Sequence, residues 1–213
     1  MLMNIETITY RNHKINIMRD DSPTDPANDW EQMGVMWCDH SRYDLGHNKA
    51  QAILLSYCYR HDAVFMRLCD SREVEKADIV KSLKKLNCVI LTLYLLDHSG
   101  LSMSTSAFSC PWDSGAVGLI VATPQTIRER YGIKNITKKR RTQAIASLIS
   151  QVQQYDDYLM GNVYVFDVVD SVGDVVDSCC GFYGADHKKS GLLETACAEI
   201  DHLDRQLPLE FAA

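Results

Sequence analysis

The chain has 213 residues, 46% of them hydrophobic and 23% charged, with 28 acidic against 22 basic side chains and a net charge of −6. These values are ordinary for a globular chain with a sizeable core. The acidic excess is too small for a carboxylate-covered imitation of DNA, and it argues against a broad nucleic-acid footprint.

In chain order, Ile5 to Tyr10 alternates and turns at Arg11-Asn12-His13 into Lys14 to Met18, which predicts an N-terminal hairpin peripheral to the rest, within residues 1–20. Residues 19–32 are polar, with two prolines, and read as loop. Gly34 to Cys38 reads as a short strand, and Asn48 to Met66 fits helix in its first half and either helix or strand in its second. Glu73 to Leu86 carries a helical stripe of Val74, Ala77, Val80 and Leu83. Cys88 to Leu96 is rich in β-branched residues and predicts a central strand buried on both faces. Val117 to Ala122 is a further strand. Thr123-Pro124 starts a helix that Gly132 ends. Thr137 to Leu159 has the clearest helical period. Val163 to Val169 pairs with Val175 to Ser178 as a hairpin. Leu193, Ala196, Ile200, Leu203 and Leu207 mark a last amphipathic helix, followed by Pro208. No linker or repeat divides the chain, so the pattern predicts a single α+β domain over residues 1–213, with a mostly antiparallel sheet and flanking helices.

Eight cysteines are scattered without a CxxC pair. Met1 to Tyr10 has no signal-peptide core, and no run approaches a membrane span. The expectation is a reduced, cytoplasmic protein with no disulfide framework and no membrane contact. Cys58, Cys69, Cys88 and Cys197 sit in apolar patterns and read as core thiols.

Four clusters stand out: Trp37-Cys38-Asp39-His40, Asp97-His98-Ser99-Gly100, Ser109 to Gly115, and Asp177 to Gly184. Each reads as loop at a strand end and combines thiol, imidazole, carboxylate or aromatic groups with nearby glycine. Cys110 qualifies as a nucleophile if His98 or His40 accepts its proton and Asp97 or Asp113 orients that imidazole. The plainer alternative packs Cys110 beneath Trp112. Cys38, His40, His98, Cys110 and Cys179 are the right types for zinc, although only Cys38 and His40 are closely spaced. Asp97, Asp113 and Asp177 would hold another divalent cation if they converged, or cap their own turns if they did not. As an enzyme, the chain would use His40, Asp97, His98, Cys110, Asp113 and Asp177. No Gly-rich phosphate loop, GxSxG or HExxH is present.

Lys138, Lys139, Arg140 and Arg141 form the one basic run, in the first turn of the long helix. Cations there oppose the helix dipole, so a partner's phosphates or acidic surface would compensate them. Trp37, Trp112 and Tyr183 are expected to pack around the loops of His98 and Cys110.

Five blocks, in order, resemble a family of uncharacterised proteins common in bacteriophages and other mobile elements. They are Met33 to Cys38 with His40, Arg42-Tyr43 and Leu45-Gly46; Leu93 to Gly100; Phe108 to Gly118 around Cys-Pro-Trp-Asp-Ser-Gly; Tyr155-Asp156, Tyr158-Leu159 and Gly161-Asn162-Val163-Tyr164; and Asp177-Ser178-Cys179 with Gly181-Phe182-Tyr183-Gly184. The likeness covers about residues 30–185. Asp39 stands where an aromatic is more usual, and Cys180 where tryptophan is usual. The family carries no agreed activity, so the resemblance assigns no catalytic role. It implies a task during infection or element maintenance. The leading expectation is a non-catalytic accessory protein that binds and inhibits a host defence protein or ribonucleoprotein complex, as an anti-CRISPR does. The basic run would be a contact, and no cofactor is expected. The alternative is a hydrolase or nuclease dependent on zinc, another divalent cation or the Cys110 thiol.

Overall fold

The computed structural model describes residues 4–206. Its elements are β1 (Asn4–Tyr10), β2 (His13–Arg19), β3 (Val35–Cys38), α1 (Ala50–His61), α2 (Ala63–Ser71), α3 (Lys76–Lys85), β4 (Val89–Asp97), β5 (Leu101–Ser104), β6 (Ser114–Ala122), α4 (Pro124–Tyr131), α5 (Lys138–Leu159), β7 (Val163–Val169), β8 (Val175–Tyr183) and α6 (Leu192–Gln206). The α+β class holds, and every strand pairing is antiparallel. The described residues form two compact units, one from residues 4–24 and 157–206, the other from residues 25–156. Strand pairing makes this division without any change in composition, because β2 bonds β7 across the whole middle of the chain.

The first unit has the strand order β1-β2-β7-β8. The N-terminal hairpin is therefore part of the sheet, with β2 as an interior strand. Alternation sends Ile15 and Ile17 into full burial with Tyr164, Phe166 and Val168 of β7. Leu192, Ala196 and Ile200 of α6 complete that core at helical spacing. Leu207 and Pro208 lie outside the described residues. The β7–β8 turn is held by Asp170, whose carboxylate accepts the N–H groups of Val172, Gly173 and Asp174, each at 2.9 Å. These bonds, that of Asp174 first, keep the carboxyl below its usual range.

β8 runs on to Tyr183, where the sequence reads as loop after Ser178. Phe166 pairs with Cys179 and Tyr164 with Phe182, and the irregularity between them absorbs Cys180 and Gly181. Gly181 has φ of +85°, a conformation that glycine alone adopts at low cost.

The second unit has the order β3-β6-β4-β5. Val121 joins Trp37, Leu54, Cys58, Phe65, Ile79, Leu83 and Cys88 in a core under α1, α2 and α3. The adjacent Ile120 points the other way, where a Cβ on Gly34 would meet Leu148 of α5 at 2.3 Å and Ile120 at 2.9 Å. Gln151 of α5 fixes that contact by accepting the Gly34 N–H at 3.0 Å and donating to its carbonyl at 2.7 Å. Cys58 and Cys88 are buried, and Cys69 and Cys197 pack half-buried against the cores of their units. Burial pushes the Cys88 thiol up to about 12.

Residues 48–66 divide into two helices at Asp62, which caps α2 by accepting from Val64 N (3.0 Å) and Phe65 N (3.3 Å). The same buried carboxylate accepts from Lys85 Nζ at 2.6 Å and Ser82 Oγ at 3.0 Å. Lys85 foremost, these partners hold it down to about 2. Two further differences bear on the site. Leu101–Ser104 is a strand, although its serines read as loop, and β6 begins three residues before Val117.

Candidate functional site

β6 lies between β3 and β4 and runs antiparallel to both, so the ends of β3 and β4 meet the beginning of β6 at one edge of the sheet. Leu96 pairs with Ser114, Cys38 pairs with Gly118, and the Asp39 N–H reaches Val117 O at 2.9 Å. Close approach is required here, since a Cβ on Gly118 would lie 2.1 Å from the Trp37 carbonyl oxygen. Three of the four clusters thus converge. Their side chains line an open cleft of about 300 Å³ that includes Asp39, His40, Arg42, Asp97, Trp112 and Asp113.

Asp113 organises one side. His98 Nδ1 stands 3.0 Å from its Oδ2, and Cys110 Sγ donates to the same oxygen at 3.5 Å. The Asp97 N–H donates to the Asp113 carbonyl at 2.8 Å, and Ser114 Oγ donates to the Cys110 carbonyl. Asp97 organises the other side by accepting from Arg42 Nη2 and, at 3.3 Å, from the Tyr43 hydroxyl. His40 stacks on Tyr43 with centroids 5.0 Å apart, and its Nδ1 accepts the Arg42 N–H at 3.2 Å. Sequence reasoning singled out His40, Asp97, His98, Cys110 and Asp113. Arg42 and Tyr43 appear there only within the family block, and their spacing from His40 is the signal for a site role.

Two expectations, both about tryptophans, need correction. Trp112 does not cover Cys110, for it is 93% exposed on the Ser109–Gly115 loop. Trp37 is buried with α1, α2 and α3, and Lys76 Nζ lies 4.9 Å from its ring centroid. Tyr183 and Asp177 belong to β8 of the first unit, where Asp177 accepts the Ser178 N–H at 2.8 Å and Tyr183 donates to the Thr24 carbonyl. Cys179 shares that strand and is exposed. Among the described residues, no three His, Cys, Asp or Glu side chains stand together in a way that would hold a metal ion. Burial raises the Cys38 thiol to about 12, so it enters the rim as a thiol.

The basic run begins α5 in the second unit. Arg141 donates to the carbonyls of Asn87 (3.1 Å) and Cys88 (3.2 Å), tying the helix to the start of β4. Arg140 lies 5.3 Å from the Tyr131 ring centroid and donates to Gln143. Lys138 and Lys139 are exposed.

The cleft fixes polar groups around an unburied indole. The order within it is thiol, carboxylate, imidazole, whereas nucleophile activation places the imidazole in the middle. Among the described residues, no helix is long and apolar enough to cross a membrane. No family model, curated protein or solved structure matches the chain.

Proposed function

We propose that the protein is a non-catalytic binding protein of a phage or other mobile element that engages and inhibits a host defence complex, with the Ser109–Gly115 loop as its principal contact. The observation that carries this reading is the 93% exposure of Trp112 on a loop held by Asp113, His98, Cys110 and Ser114. Exposing an indole from a fixed loop has no value for folding, and buried tryptophans are frequent anchors of protein interfaces. Lys138 and Lys139 are secondary contacts available to a protein or ribonucleoprotein partner. The family likeness of the Cys-Pro-Trp-Asp-Ser-Gly block supports the setting in mobile elements.

The test is expression in bacteria that carry an active defence system, with phage plating and affinity capture from the same cells. The parent chain protects phage and recovers a defence component, and Trp112→Ala does neither while remaining folded. Equal protection by both chains would overturn the reading. Loss of protection in Cys110→Ser with the partner still captured would favour the thiol-dependent hydrolase instead.

A further inference from the structure

The proposed contact is one end of a longer groove. The cleft beside Trp112 shares Asp39 and His40 with a second cleft of about 610 Å³ that runs past Asp44 to Asp25 and Asp29. Six carboxylates line the two (Asp25, Asp29, Asp39, Asp44, Asp97 and Asp113), against the cations Arg42 and Lys49. Asp39 is open to solvent, with its side chain 80% exposed and Lys76 Nζ 4.0 Å away. Trp112 lines only the first cleft and Asp25 only the second.

We infer that this groove takes an extended, arginine-bearing segment of the partner protein, with one guanidinium laid on the Trp112 ring and paired to the neighbouring carboxylates. Charge complementarity selects a cationic occupant. The indole selects arginine over lysine, because a planar, weakly hydrated guanidinium both stacks on an aromatic face and bonds carboxylate oxygens in its own plane. The two joined clefts give room for several residues, which favours a polypeptide over a single small cation. This inference rests on the binding function proposed above and specifies the partner's chemistry.

The experiment is calorimetric titration of the full chain with blocked tetra-arginine, tetra-lysine and tetra-glutamate peptides at about 50 mM salt, where surface charges are weakly screened. Tetra-arginine binds saturably, tetra-lysine binds several-fold more weakly, and tetra-glutamate does not bind. Trp112→Ala weakens tetra-arginine about tenfold. Asp39→Asn, an exposed change that leaves folding intact, weakens it about threefold. Absence of saturable tetra-arginine binding, or equal binding by the Trp112→Ala chain, overturns the inference. If Trp112→Ala abolishes phage protection yet the parent ignores tetra-arginine, the groove inference fails and the binding function stands. If tetra-arginine binds as described but Trp112→Ala protects fully, the inhibitor reading fails and the groove remains a site for arginine.

Discussion

Ser109–Gly115 and Asp177–Gly184 both combine serine, cysteine, aspartate, an aromatic and glycine, yet they become different objects. In the first, the polar groups bond one another across two chain segments, so that Asp113 holds His98 and Cys110 while the indole is left outside. In the second, the residues continue a strand. Among the described residues, the Asp177 carboxylate accepts only its neighbour's N–H, and Cys179 and Cys180 are exposed. Composition is shared, and the difference comes from what lies alongside. The first segment enters a strand flanked by two others whose ends carry Asp39, His40 and Asp97. The second forms the last strand of its sheet, with a neighbour on one side only.

Glycine substitutions break this comparison most sharply. Gly118→Ala places a methyl group against the Trp37 carbonyl and should cost more than about 3 kcal/mol, because backbone must move where β3 meets β6. Gly181→Ala meets nothing within 4 Å and strains only its own φ of +85°, for about 1–2 kcal/mol. Urea unfolding of the two variants checks the ordering, and a larger loss for Gly181→Ala would contradict it.

Asp62 is the buried reference for a carboxylate with several partners. Asp62→Ala removes a helix cap and orphans Ser82 and Lys85, and a loss of about 2–3 kcal/mol is expected, read as a fall in Tm of roughly 5–10 °C. Its folded pKa of about 2 lies below the unfolded value of about 4. The stability it supplies is therefore fully present above about pH 4 and disappears as pH falls toward 2. Melting curves of the parent and Asp62→Asn should converge across that window, and a constant gap would contradict the assignment. On the exposed cleft the effects are smaller. Asp113→Ala should cost about 1 kcal/mol and Asp177→Ala under about 0.5 kcal/mol, both measurable by chemical denaturation.

Much of the fold is legible from residue pattern. Alternation in Ile15 and Ile17, the Thr123-Pro124 start and the period of α5 each follow from local chemistry that tertiary contacts reinforce. Leu101–Ser104 escapes because its serines resemble loop, and it becomes strand by pairing with Tyr94 to Asp97. The split at Asp62 escapes because apolar residues continue on both sides of it, although Asp is a favoured cap and here accepts the Val64 and Phe65 N–H groups. At the site, residue types mark His40, Asp97, His98, Cys110 and Asp113, but the exposure of Trp112 does not follow from them. A tryptophan between proline and aspartate is buried or bare according to what else folds over it, and here it is left 93% exposed.

The central claim, that Trp112 is a contact rather than a core residue, is tested most directly by melting Trp112→Ala and plating phage on cells that express it. The account predicts a Tm within about 2 °C of the parent together with lost protection. A fall of about 6 °C or more, the mark of an emptied core site, or undiminished protection with the fold intact, would contradict it.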